Sequence, residues 1–340
     1  MTTTRKMICL LTALSLHAFP ANANEAELGS IVFPNSGAMD AQPAFLEGVM
    51  ALHSFMFDEA RMAFEEAQRI DPDFAMAYWG QAMSDNHPLW RQQNGEAATA
   101  ALNRLAPTHD ERLAKAAGEK EKAFLNAVET LYYSADDKLV RDYAYSAHMK
   151  RMHERWPDDN EISVFYALSI LGTIRRGDPG YRRQALAASI SQEVYTQNPN
   201  HPGAAHFIIH SFDDPDHAIL ALKAAKVYAG IAPAASHALH MPSHIFVQLG
   251  MWQRVVESNI EAYAAATASI KNLGFAEGRE DFHTLSWLAY AYLMLDHDDI
   301  AAEKVALALE AVERNKDNKR VYSGYLLIRG RHMVETGQWE

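Results

Sequence analysis

The sequence predicts an all-α protein in which helical hairpins stack into a right-handed α-α superhelix. Three observations carry that expectation. Self-similarity recurs at a period of 34 residues, small residues fall where paired helices must cross, and strand signals are scarce over all 340 residues. Apolar side chains make up 49% of the chain and charged ones 22%, which is the composition of a globular protein. A formal charge of −12 lacks the basic stripe a nucleic-acid binder sets against phosphates. A single cysteine excludes a disulfide framework and a thiolate metal site. The outlying number is 16 histidines.

The N-terminus reads as an address. Arg5 and Lys6 precede the apolar run Met7 to Phe19, and Ala21-Asn22-Ala23 then offers small residues at alternate positions. That is the order of a secretory signal peptide, and the run is too short to span a bilayer. Residues 1–23 are therefore expected to be removed. The mature chain loses Cys9 and becomes two charges more negative, exported to the periplasm or secreted, with no membrane span of its own. Residues 24–40 form an extension before the first repeat.

The clearest repeat covers 41–74. Gly48, Ala60, Phe64 and Ala67 sit where two antiparallel helices approach closely, Asp58-Glu59 open the second helix, and Asp71-Pro72 close it. Further repeats are expected near 75–107, 168–201, 202–235, 236–271 and 282–315, with an incomplete one at 323–340. The markers are Tyr78, Ala187, Pro199, Pro233, Gly250-Met251-Trp252, Leu288, Tyr292, Ala301, Gly330 and Gly337-Gln338-Trp339. The stretch 108–167 is helical by periodicity but divergent. The final repeat has one helix only, which suggests a C-terminally truncated fragment.

These residues resemble the tetratricopeptide-repeat (TPR) superfamily over most of 41–340. The resemblance implies a TPR-like α-solenoid, each hairpin buried on its neighbours, with positions two, five, nine, twelve and thirteen of every first helix lining a concave groove.

The histidines obey that register. His206 and His210 take the fifth and ninth positions of one repeat, and His240 and His244 take the same positions 34 residues later. His237 and His283 both take position two, and His53 and His87 both take position thirteen. Offsets of three and four share a helix face, and neighbouring helices pack about 8–10 Å apart. His206, His210, His237, His240, His244 and His283 are thus candidate ligands of a transition-metal site. Imidazoles without cysteine suit a zinc or copper ion better than calcium or magnesium. Six candidates exceed one tetrahedral site, so either some stand behind the ligands or two ions bind. Asp213 and Asp214 follow as an acceptor or base, or as a capped inter-helix turn. Pro242, inside the run His237 to His244, requires a bend or a late helix start.

The remaining signals are structural. His53 and His87 read as packing or groove residues rather than ligands, and Tyr78, Trp79, Trp252 and Trp287 as core. His109, His148, His153, His217, His297 and His332 read as solvated. Lys115 to Lys122 reads as an exposed helix face. No phosphate loop, Gly-x-Ser-x-Gly turn or His-Glu-x-x-His motif occurs.

A narrower resemblance rests on His201-Pro-Gly-Ala-Ala-His206…His210, His237-Ala-Leu-His240-Met-Pro-Ser-His244-Ile, Ala51-Leu-His-Ser-Phe55 and Phe282-His-Thr-Leu-Ser-Trp-Leu-Ala-Tyr290. These look like a group of exported bacterial TPR proteins, and the likeness implies no reaction. Two functions stay open. One is a histidine-rich zinc or copper site in the groove, used for metal-dependent catalysis on a small-molecule or peptide ligand, or for metal sequestration. The other is a metal-free TPR module that binds a peptide or protein partner in the periplasm.

Overall fold

A computed structural model describes residues 25–276 and 278–339. The leader expected at 1–23 lies outside the described residues. The fold is an all-α solenoid of helical hairpins. After a short helix α1 (Glu25–Leu28), α2 (Gln42–His53) pairs with α3 (Phe57–Ile70), and α4 (Ala75–Ser84) with α5 (Gly95–Leu105). A short helix α6 (His109–Lys115) precedes the hairpin α7 (Glu119–Tyr133) and α8 (Lys138–Arg155). Then come α9 (Asn160–Gly172) with α10 (Arg182–Gln197), and α11 (Pro202–Ser211) with α12 (Ala218–Ile231). Two short helices, α13 (Ser236–His240) and α14 (Pro242–Gln248), share the long partner α15 (Trp252–Asn272). The chain ends in α16 (Phe282–Leu293), α17 (Asp298–Arg314) and α18 (Lys319–Thr336).

The first repeat forms for the reason its residues suggested. Phe64 of α3 is wholly buried between Gly48 of α2 and Gly80 of α4. A Cβ on Gly48 would stand 2.8 Å from the Phe64 ring, so only glycine admits the ring at this crossing. The divergent stretch is also hairpins, but its register differs from expectation: the first helix of the repeat placed near 168 starts at Asn160. The Lys115–Lys122 run is split by a break at Ala116–Gly118, with Gly118 at the N-terminus of α7, rather than forming one helix face. Between α4 and α5 the chain makes a small antiparallel hairpin, β1 (Asn86–His87) and β2 (Gln92–Gln93), in place of a plain turn.

The inner helices are buried on every side, α4 and α9 almost end to end. Helices that are apolar all round belong inside a structure, not along an open groove. Here the superhelix closes on itself: α11 packs against both α9 and α2. The extension helps to fill the interior. Phe33 lies 5.2 Å from Phe45, 5.6 Å from Trp79 and 5.2 Å from Phe124, ring to ring. The same segment is tied to the far end of the ring by Ser30 N–H to Asn200 O at 2.9 Å and Ala234 N–H to Glu27 O at 3.0 Å. No helix among the described residues is long and apolar enough to cross a membrane.

Candidate metal centre

All six candidate histidines meet where α11, α13, α14 and α16 come together. They form two groups of three. His206, His210 and His237 are one triad, His240, His244 and His283 the other, and in each the facing ring nitrogens lie within 4.8 Å of one another. The triads abut: His237 and His240 are 6.2 Å apart between ring centres, and His210 and His244 are 6.4 Å apart.

The helix breaks that build this arrangement are local. His201 caps α11, its Nδ1 accepting the Ala204 N–H at 3.3 Å, and Pro202 occupies the first turn where a missing N–H costs nothing. Pro242 resolves as a bend. Met241 keeps helical angles (φ −55°, ψ −33°), α13 ends before it and α14 starts at the proline. The kink keeps His237, His240 and His244 on one side.

Hydrogen bonds fix which nitrogen is free in three of the six rings. His206 donates Nδ1–H to the His53 carbonyl at 2.7 Å. His240 donates Nδ1–H to Asn259 Oδ1 at 2.6 Å, and Asn259 is held in that orientation by its own Nδ2–H bond to Val255 O at 2.7 Å. His244 donates Nδ1–H to Asp213 Oδ2 at 2.7 Å. A proton on Nδ1 of a neutral imidazole leaves Nε2 as a lone pair. In the first triad all three Nε2 atoms are buried without any hydrogen-bond partner. In the second, His240 Nε2 and His244 Nε2 face each other at 3.0 Å, two lone pairs with no proton assigned between them. Buried polar atoms normally find partners, so this clustering of unpaired ring nitrogens is unusual for a purely structural network. Nitrogens sharing one ion at bonds of about 2.0–2.1 Å stand roughly 3.3–3.6 Å apart, which small ring rotations would reach.

The electrostatics agree. Burial, reinforced by the neighbouring imidazoles, pushes His206, His210, His237 and His240 well below the ordinary histidine value, and His283 is lowered too. At neutral pH these rings are uncharged, the form that binds metal. Burial raises the Asp213 carboxyl, but bonds from His244 and Gln248 outweigh it and hold it below its usual range. Asp213 is thus a carboxylate that orients a ligand, whereas Asp214 is bound to Tyr181 and His217 in the turn.

A third cluster joins α2, α9 and α11. His53 Nε2–H and His201 Nε2–H donate to the two oxygens of Glu161 at 2.8 and 3.0 Å, all three being buried. Burial raises the Glu161 carboxyl, yet the two histidines bring it down to about 2. Both ring nitrogens of His201 are committed to protein partners, so this cluster is a clamp on the ring closure. It passes directly to the metal centre, because the His53 carbonyl holds His206.

Aromatic residues frame the triads. Phe55, in a left-handed backbone conformation (φ 54°), lays its ring 4.4 Å from His206, 5.6 Å from His210 and 5.4 Å from His237. Trp90, 49% exposed on the β1–β2 hairpin, stands 6.0 Å from His237. Trp287, expected in the core, is half-buried and stacks on His244 at 4.5 Å. Trp252 is also half-buried, whereas Trp79 and Tyr78 are core. A cleft of about 830 Å³ opens onto His237, His240 and His283 between Trp90 and Asp281. His87 lies in its wall, stacked on Phe57 at 3.8 Å. Of the histidines expected in solvent, His109 binds Glu129, His153 binds Ser163 and His217 binds Asp214.

Sequence reasoning missed Glu161, Asn259, Phe55 and Trp90. Glu161 had a signal, a lone charge opening the otherwise apolar helix Ile162–Gly172. Asn259 in mid-helix was a weaker one.

No family model matches this chain, and no curated protein does. Among solved structures it is similar to the TPR domain of P58(IPK) in a crystal structure, at 14% identity over 88% of this chain and all of that one, with a TM-score of 0.21. A likeness that distant carries no argument about function. What the chain's own helices establish is an all-α solenoid of helical hairpins, closed into a ring and carrying two histidine triads at the mouth of a cleft.

Proposed function

We propose that the two triads hold a pair of transition-metal ions, zinc or copper, and that a small-molecule or peptide ligand reaches them through the cleft. The observation that carries this reading is the set of buried Nε2 atoms, three without any hydrogen-bond partner in one triad and two facing each other in the other. A polar network serving stability alone would have paired them with donors. The carboxylate and amide behind His244 and His240 are the kind of outer partners that fix metal-binding tautomers. The leader-like segment 1–23 and the likeness to exported histidine-motif TPR proteins support action outside the cytoplasm.

The test is elemental analysis of full-length protein purified without an affinity tag, beside a His206→Ala/His240→Ala double variant. The expected result is two ions per chain in the wild type and loss of both in a variant whose circular dichroism is unchanged. A wild type free of metal after exposure to zinc and copper, or a variant retaining its metal, contradicts the reading. His283→Ala, at the cleft rim, provides a second variant if the double one fails to fold, and there loss of one ion is expected.

A further inference from the structure

Resting on the paired-ion reading, we infer that the two ions differ in role. The ion at His240, His244 and His283 keeps an open position on the cleft, and its ligand is an aromatic carboxylate whose ring lies against Trp90.

Access separates the triads. In the first, every Nε2 is buried, and Phe55 and Tyr228 cover His206 with ring centres at 4.4 and 5.1 Å. His237 alone of that group reaches the cleft wall. In the second, His240 and His283 both line the cleft, and His283 is exposed. A zinc ion held by three histidines has a fourth position to fill. At the second triad that position opens on the cleft, whereas at the first aromatic side chains close it.

Charge sets one half of the ligand. Two divalent ions would bring four positive charges to the imidazoles, against one carboxylate, Asp213, bonded to a ligand ring. Asp281 at the rim is committed to the N–H and hydroxyl of Thr284. Uncompensated buried charge is costly, so an anion completes the centre best. The rest of the cleft does not compete for that anion. Past Phe57 it widens, and there Arg61 is paired with Asp58 and Asp85, and Arg279 with Asp58, while Arg320 donates to the Gly278 and Glu280 carbonyls.

The wall sets the other half. Phe57, His87 and Trp90 line the cleft beside His237. Phe57 already has stacked partners in His87 and Phe55, at interplanar angles of 21° and 13°. Trp90 has none: Phe55, Phe57, His87 and His237 meet it at 66°, 80°, 77° and 62°. A half-exposed indole with no parallel neighbour is a platform for a flat ring. Trp90 stands 6.0 Å from His237, which is 6.2 Å from His240, separations that suit a single ring carrying its carboxylate directly.

The test is calorimetric titration of the full chain, loaded with whichever of zinc or copper it retains, with benzoate, cyclohexanecarboxylate and acetate. Bound metal is counted in each sample. Benzoate is expected to bind once per chain, about 2–10-fold tighter than cyclohexanecarboxylate, and acetate more weakly than either. Trp90→Ala is expected to keep both ions and erase the preference for the flat ring. His283→Ala is expected to keep one ion and lose benzoate, and His210→Ala to keep one ion and still bind it. A chain with two ions that binds the three acids alike or not at all would overturn this inference and leave the metal centre standing. So would a Trp90→Ala variant that keeps the preference, or a His283→Ala variant that still binds benzoate. Failure to bind metal would remove both readings.

Discussion

The His206 imidazole donates its Nδ1 proton to the backbone carbonyl of His53, 2.7 Å away and 153 residues earlier in the chain. One bond does two things. It joins α11 to the end of α2, where the ring of hairpins closes, and it leaves His206 Nε2 as a lone pair facing His210 and His237. Assembly of the first triad is therefore tied to closure of the superhelix.

That coupling makes Gly203 sensitive. A Cβ at this position would lie 2.7 Å from His53 Nδ1 and 2.8 Å from Val164 Cγ1, all inside the closure. Gly203→Ala is expected to destabilise by about 1–3 kcal/mol through overpacking and to weaken metal binding at His206. Gly230→Ala, in α12 with nothing near the added methyl, is expected to gain roughly 0.5–1 kcal/mol. Urea denaturation of both variants checks this, and equal effects would contradict it.

Asp213 lies outside the triads but holds His244. Asp213→Ala is expected to lower metal affinity by roughly 10–100-fold with little change in the unfolding midpoint of the metal-free chain. Competition with a chelator of known affinity measures it. Unchanged affinity would mean that the carboxylate does not position the ring.

The metal-free chain is expected to be acid-sensitive in two windows. His206, His210, His237 and His240 bind protons more weakly folded than unfolded. Their contribution is complete above an unfolded value of about 6.5 and is lost as pH falls below it. All four act in the same direction, so the loss steepens as pH falls. Glu161 acts lower. Its folded value of about 2 lies beneath the ordinary carboxylate value, so its contribution is present above about pH 4.5 and disappears from there downward. Urea midpoints measured from about pH 7.5 down to about pH 5 should fall steeply, and bound metal should offset the fall near neutrality. A flat profile would contradict the buried neutral histidines.

The parts of the fold that were legible in the sequence are those built from contacts between neighbours. Gly48, Phe64 and Ala67 marked the first hairpin because a close crossing needs small residues at fixed spacing. The pairs His206/His240 and His210/His244 marked the site because equivalent positions on adjacent hairpins face the same way. What escaped notice depends on distant partners. Nothing local tells that Phe33 enters the interior beside Trp79, or that Glu161 meets His53 and His201 across three helices. The divided cluster was hidden for a related reason: the bend at Pro242 determines which rings group with His237 and which with His240. The β1–β2 hairpin was missed because its strands are two residues each, too short for any alternation to show.

The central claim is that each triad holds its own ion, and anomalous X-ray scattering from crystals of metal-loaded full-length protein tests it most directly. Data collected across the zinc and copper absorption edges should show two peaks, one among His206, His210 and His237 and one among His240, His244 and His283. No peak, or one peak only, at the His53–Glu161–His201 clamp or elsewhere, would contradict it.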